Sequence, residues 1–115
     1  AQTMTLNELT YEAYNNAREK GFHTTPANVG EKLMLIVSEL AEALEHARTD
    51  SPVPLDRTFY DSEKPDKPDG FPIELADAVI RIADLCGQLN IDLDHAVRTK
   101  MAYNKTRPHK HGKKF

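Results

Sequence analysis

Two pairs of acidic residues stand out in this sequence, each with its members three positions apart. Glu39 and Glu42 form the first pair, and Glu74 and Asp77 form the second. Residues three apart share one face of a helix, where like charges cost about 0.2–0.5 kcal/mol per pair. A divalent cation with oxygen ligands, Mg²⁺ or Mn²⁺ as its substitute, would offset that repulsion and could bridge phosphate oxygens. A single such pair more often lies on a solvated helix face, which is the alternative for each.

Basic and amide side chains near the C-terminus could complement such a cation. Lys100 and Asn104 are one turn apart on a predicted helix. Lysine meets a phosphate as a point charge, and asparagine can bond a phosphate, a sugar hydroxyl or a base edge. An ordinary exposed lysine and a helix-end asparagine are the alternative. Arg107 lies in a basic tail at about residues 106–115, which either closes over phosphates or stays solvated. Glu45 extends the first acidic series as an auxiliary ligand.

Four helices are predicted to position these residues, at about residues 6–20, 25 or 28 to 48, 72–89 and 93–105. A Thr5–Glu8 capping box begins the first, and the second begins at Thr25-Pro26 or at Asn28. In the last helix Leu93, Ala96, Val97 and Met101 are predicted to face inward. In the second and third helices the predicted core stripes are Leu33, Ile36, Val37, Leu40, Ala41 and Leu44, and Leu75, Val79, Ile82, Cys86 and Leu89.

The segment from about residue 49 to 72 contains five of the seven prolines. It is predicted to be a loop, with a short turn around residues 55–60 and no strand. At this length such a loop is either functional or mobile.

Length and composition favour one soluble domain over residues 1–115, and the four predicted helices make its fold class all-α. The net charge of −3 gives no global attraction for nucleic acid, so no nucleic acid polymer is expected as a partner. No apolar run approaches the about 20 residues of a membrane span, so no membrane partner is expected. The single cysteine, Cys86, excludes an internal disulfide and fits a reducing compartment, so a cytoplasmic location is expected.

The ordered set of motifs resembles the MazG-like all-α nucleoside triphosphate pyrophosphohydrolases. Their signature is an E-x-x-E helix, an E-x-x-D helix, and then a Lys and an Asn on the next helix. The matching stretches are SELAEALE at 38–45, ELADAVI at 74–80, and the run from IDL to KMAYN at 91–104. The resemblance implies a four-helix MazG-like bundle completed by oligomerisation, as a homodimer or a homotetramer.

The resemblance also implies an activity, the Mg²⁺-dependent hydrolysis of (d)NTP to (d)NMP and pyrophosphate. Water would attack the α-phosphorus, oriented or deprotonated by Glu39 or Glu42, and Lys100 would stabilise the leaving pyrophosphate. The implied metal ligands are Glu39, Glu42, Glu74 and Asp77. The implied substrate-binding residues are His23, Arg81, Lys100, Asn104 and Arg107.

Two features depart from the family pattern. The gap between Glu42 and Glu74 is longer than in many members. Arg81 stands where pyrimidine-preferring relatives often carry an aromatic residue, which leaves the base preference open. Three alternatives also stay open: a nucleotide-binding regulatory helical module without turnover, a helical oligomerisation protein with solvated acids, and an enzyme acting on another nucleotide or phosphorylated metabolite.

Overall fold

The computed structural model describes residues 3–26 and 28–115, and its main elements are helices. In chain order the helices are α1 (Leu6–Glu19), α2 (Val29–Arg48), α3 (Phe71–Gln88) and α4 (Leu93–Lys105). A hairpin of β1 (Phe59–Asp61) and β2 (Lys64–Asp69) lies between α2 and α3, and a 3₁₀ helix follows α4 at His109–Gly112. The chain is therefore mostly helical, as the all-α prediction requires, with a small two-stranded addition. Within the described ranges, no helix combines the length and the apolar character needed to cross a membrane.

Side-chain caps determine where the helices begin. The Thr5 hydroxyl accepts a bond from the Glu8 amide at 3.1 Å, and the Glu8 carboxylate accepts one from the Thr5 amide. This reciprocal pair confirms the predicted capping box. Of the two predicted starts of α2, the structure uses Asn28, whose Oδ1 accepts a bond from the Glu31 amide at 3.0 Å.

The helices pack around α3, which contacts α2 on one side and α1 on another, while α4 packs against α1. Ile36 of α2 meets Ala78 and Leu85 of α3 in the buried core. Close approach of α1 and α3 depends on Gly87, because a Cβ there would lie 2.6 Å from Cβ of Tyr14. Small residues at these contacts therefore let the helices come close together.

The prediction that the apolar stripes pack inside the chain is wrong for most of their residues. Within one chain α2 turns Ile36, Ala43 and Glu39 toward α3, while Leu40 stays 47% exposed. Apolar residues cover more than one flank of α2 and α3, and the helices contact each other through the flank that carries Ile36 on α2 and Ala78 and Leu85 on α3. Cys86 is buried as predicted. On α4, Leu93 and Val97 are half-buried, whereas Ala96 and Met101 are exposed.

The exposed stripes of α2 and α3 form what we call the apolar face. The two helices run antiparallel, since His46 lies near Glu74 and Glu39 lies near Arg81. On each helix the stripe lies about 100° around the axis from the flank that contacts the other helix, and the rotation has the same sense along both chains. Because the two helices run antiparallel, this places both stripes on one side of the pair. The apolar face consists of Leu33, Val37, Leu40, Leu44, Leu75, Val79 and Ile82, all of them exposed.

The prediction of a loop without strands between α2 and α3 is also wrong. Tyr60 of β1 pairs with Pro68 of β2, and the register shifts between Tyr60 and Asp61. Prolines argue against a strand because they cannot donate to a ladder, but an edge strand tolerates them. In a two-stranded hairpin every strand is an edge, so Pro65 and Pro68 fit β2. The hairpin leads directly into the start of α3.

Candidate functional site

Three of the four predicted metal ligands converge between α2 and α3. Carboxylate oxygens of Glu39, Glu74 and Asp77 all lie within 4.8 Å of one another, and we call these residues the acidic cluster. The side chains of Glu39 and Glu74 are only 16% and 14% exposed. Glu42 is more exposed and lies outside this group, although it lines the same cavity as Glu74. The structure thus brings both acidic motifs to one place, with Glu42 at its edge.

Burial and crowding make the acidic cluster electrostatically unfavourable. Burial raises the pKa of Glu74, and neighbouring negative charges raise it further, from Glu39, Asp69, Asp77 and Glu42. Burial likewise raises the pKa of Asp77, with a further contribution from Glu39, while Arg81 and Lys67 oppose the shift. Both effects favour the protonated carboxyl over the carboxylate. A bound cation would reverse that preference.

Arg81 contacts the acidic cluster directly. Its Nε donates a hydrogen bond to Oε1 of Glu39 at 3.0 Å, from α3 across to α2. The resemblance implies that Arg81 contacts the substrate. Within the single chain, Arg81 instead binds Glu39, one of the predicted metal ligands. The side chain is 43% exposed, so it can also reach solvent or a ligand.

His23 lies along α3 from the acidic cluster and is engaged with other residues. Its Nε2 is 2.9 Å from Oδ1 of Asp84, which lies two turns beyond Asp77. The imidazole also packs against the ring of Tyr14, with ring centroids 4.9 Å apart. These contacts tie the connection between α1 and α2 to α3. The substrate-binding role of His23 stays a prediction.

The predicted cations of α4 and the tail are not joined to the acidic cluster. Lys100 Nζ lies 5.0 Å from the Tyr103 ring centroid, and the Arg107 guanidinium lies 5.6 Å from the same ring. Asn104 Oδ1 is shielded from solvent and has no hydrogen-bond partner among the described residues. Across residues 3–26 and 28–115, no ion pair links Lys100 or Arg107 to a carboxylate of the acidic cluster.

Sequence reasoning missed two residues beside the acidic cluster, His46 and Asp69. His46 Nε2 lies 3.5 Å from Oδ1 of Asp69 and 3.7 Å from Oε1 of Glu74. Spacing could have revealed His46, because it lies one turn after Glu42 on the same helix. Asp69 ends the unpredicted strand β2, so no helical periodicity pointed to it.

A cavity opens where the ends of α2 and β2 meet the start of α3. Its volume is about 450 Å³, and it contains polar and charged side chains of Glu42, Glu45, His46, Thr49, Asp69 and Glu74. Glu45 is largely exposed and pairs with Arg48 at 3.4 Å. The cavity gives solvent and small ligands access to Glu74.

Neither a family model nor a curated protein nor a solved structure was found to match this chain. The likeness to the MazG-like proteins therefore stands on the residues and motifs quoted above.

The donor set fits a hard divalent cation. Carboxylate oxygens are the ligands that Mg²⁺ takes from proteins, usually one or two of them, with water and phosphate oxygens completing its shell. The acidic cluster supplies three such carboxylates, and burial together with neighbouring carboxylates raises the pKa values of Glu74 and Asp77. Arg81 neutralises part of this charge through Glu39.

Proposed function

We propose that this chain is a Mg²⁺-dependent nucleoside triphosphate pyrophosphohydrolase that converts (d)NTP and water to (d)NMP and pyrophosphate. The observation that carries the proposal is the acidic cluster, in which Glu39, Glu74 and Asp77 converge within 4.8 Å from two helices. Solvated acidic motifs on separate faces would not meet in this way. The order of the motifs, followed by Lys100 and Asn104, supports a triphosphate as the substrate.

Each functional residue has a separate part in the proposed reaction. Glu39, Glu74 and Asp77 would hold Mg²⁺, which polarises the phosphate and makes water more acidic. Glu42, at the accessible edge of the cluster, orients or deprotonates the attacking water. Arg81 exchanges its contact with Glu39 for one with the substrate.

The leaving group needs positive charge beyond the metal. Lys100 and Arg107 stabilise the pyrophosphate, and Asn104 contacts the nucleotide. Among the described residues of one chain, no ion pair joins Lys100 or Arg107 to the acidic cluster, and Asn104 Oδ1 has no hydrogen-bond partner. We infer that a second copy contributes α4 and the tail to each site.

The apolar face supports this assembly. It presents seven large aliphatic side chains to solvent on the side shared by α2 and α3. Burying the exposed half of one such side chain is worth about 1 kcal/mol, so covering the whole face favours association strongly. A face of this kind usually marks an interface. A symmetric homodimer is the smallest assembly that covers it on both copies, and two dimers would form a homotetramer.

The proposed activity places the protein in a nucleotide-containing compartment, the cytoplasm, where it would remove damaged or excess nucleotides. The net charge of −3 gives no reason to expect a nucleic acid polymer as its substrate.

The direct test is product analysis over all common NTPs and dNTPs, with and without Mg²⁺. We expect pyrophosphate and monophosphate only when Mg²⁺ is present. Glu42→Gln should stay folded and lose at least about 100-fold in rate, the usual contribution of a general base. Glu12→Gln, an exposed change on α1, is the control and should keep the wild-type rate.

Product analysis, combined with nucleotide-binding and melting-temperature measurements, separates the alternatives. Nucleotide affinity without product would indicate a regulatory module. A melting temperature that does not respond to Mg²⁺ would indicate a helical oligomerisation protein, because a ligand specific for the folded state must stabilise it. Turnover of another phosphorylated compound would change only the substrate.

A further inference from the structure

Three side chains of metal-ligand type meet beside the acidic cluster, and each comes from a different element. His46 lies near the end of α2, Asp69 ends β2, and Glu74 lies in the first turn of α3. One nitrogen and two carboxylate oxygens lie within 4.8 Å of one another. We call this group the mixed cluster.

The separations in the mixed cluster are compatible with three ligands around one ion. Nε2 of His46 lies 3.5 Å from Asp69 and 3.7 Å from Glu74, longer than a hydrogen bond between nitrogen and a carboxylate. His23 and Asp84, at 2.9 Å, show a closed pair in the same chain. Two ligands bound at about 2.1 Å in a tetrahedral shell stand about 3.4 Å apart. Nε2 of His46 therefore lies at a distance from both carboxylates that suits an ion between them.

The hairpin holds the mixed cluster in place. The ring of Phe59 in β1 packs edge-on against His46, with centroids 6.1 Å apart. Gly70 follows Asp69 at φ +118°, and a Cβ there would lie 2.8 Å from the Arg57 carbonyl oxygen. This tight junction between β2 and α3 places Asp69 against the end of α2. The segment that lengthens the gap between the acidic motifs thus completes a set of ligands.

We propose that the mixed cluster binds a second divalent cation, beside the Mg²⁺ position of the acidic cluster and sharing Glu74 with it. The imidazole of His46 favours a first-row transition metal ion such as Mn²⁺, Co²⁺ or Zn²⁺, because Mg²⁺ selects oxygen ligands. The inference rests on the proposed function because Glu74 belongs to both clusters. Ion binding at the mixed cluster nevertheless does not require that the protein hydrolyse a nucleotide. Paired cations that share a carboxylate are a recurrent arrangement in phosphoryl chemistry.

The test uses the full chain and Co²⁺ alone, followed by its visible absorption and by competition with Zn²⁺. The tail histidines could bind Co²⁺ independently, so all proteins carry His109→Gln and His111→Gln. His46→Gln should weaken Co²⁺ binding by at least about tenfold, since even indirect ligand partners contribute this much. It should also change the Co²⁺ spectrum by removing a nitrogen ligand. Asp69→Asn is the second variant and should weaken binding in the same direction.

His95→Gln is the matched control, because His95 is an exposed histidine on α4 and should leave Co²⁺ binding unchanged. Wild-type affinity and an unchanged spectrum in His46→Gln and Asp69→Asn would overturn the inference. If no nucleotide is hydrolysed but Co²⁺ binding depends on His46, the mixed cluster stands and the proposed function fails. If hydrolysis depends on Asp77 but Co²⁺ binding is the same in His46→Gln as in wild type, the proposed function stands and the second cation site is excluded.

Discussion

Arg81 and Glu39 join α3 to α2 through a hydrogen bond of 3.0 Å between Nε and a carboxylate oxygen. The same guanidinium lowers the pKa of Asp77, which lies one turn earlier on α3 and whose pKa is raised by burial and by Glu39. A single cation therefore acts on two of the three acids in the acidic cluster. A metal ion at this place would compete with Arg81 for Glu39.

Replacing Arg81 by glutamine should strengthen Mg²⁺ binding in the absence of nucleotide. The side chain is 43% exposed, so solvent screens the ion pair and limits its worth to about 0.2–1 kcal/mol. A gain of up to about fivefold in Mg²⁺ affinity is expected, measurable by calorimetry. Arg81→Lys keeps the charge and should show a smaller gain. Weaker Mg²⁺ binding in Arg81→Gln would mean that the guanidinium does not oppose the metal.

The pKa of Glu74 predicts how stability depends on pH without metal. Because burial and neighbouring carboxylates raise this pKa, the folded chain binds the proton more tightly than the unfolded chain. The stability from this group is complete below the unfolded-state pKa of about 4.3 and is lost as the pH rises through the raised folded-state pKa. Glu74→Gln should therefore be more stable than wild type at pH 7 in EDTA, with the difference vanishing toward pH 4.

Urea denaturation across this pH range measures the effect, and Glu12→Gln on the exposed face of α1 is the control. Added Mg²⁺ should reverse the order at pH 7, because wild type gains a bound ion that Glu74→Gln binds poorly. An equal difference between the two proteins at every pH would refute the role assigned to the buried charge.

Local signals in the sequence predicted the four helices. The Thr5–Glu8 capping box and the Asn28 cap depend on residues three apart, and both were found where expected. Periodicity also identified the large stripes of α2 and α3 but not which flank packs within the chain. That choice depends on contacts between Ile36 and Ala78, which no pattern in a single helix contains.

The candidate site divides in the same way. The i,i+3 spacing marked Glu39, Glu74 and Asp77, which the structure brings together. Asp69 reaches the site only because β1 and β2 pair, and the prolines concealed that pairing. The separation of Lys100 from the acids depends on which helix α4 packs against, which is a tertiary property.

Charge on the apolar face should break the proposed homodimer. Leu40→Glu or Val79→Glu places a carboxylate in an interface that would otherwise bury aliphatic surface, since these side chains are 47% and 48% exposed in the single chain. Sedimentation should show a monomer for either variant. Leu55→Glu alters a leucine of matched exposure, 46%, outside the apolar face, and should leave the assembly intact. If Leu40→Glu and Val79→Glu sediment as the same assembly as Leu55→Glu and wild type, the apolar face is not the interface.

Mixing two inactive variants should restore activity if each site draws on two copies. Glu42→Gln damages the α2–α3 part of a site, and Lys100→Met damages the part on α4. After the subunits exchange, half of the dimers contain one copy of each variant, and one of their two sites is free of both changes. About one quarter of the wild-type rate should therefore return. If Lys100 and Glu42 of one site came from the same chain, every site in a mixed dimer would carry one of the two changes. A mixture that is as inactive as the two separate variants would therefore place the whole site within one chain.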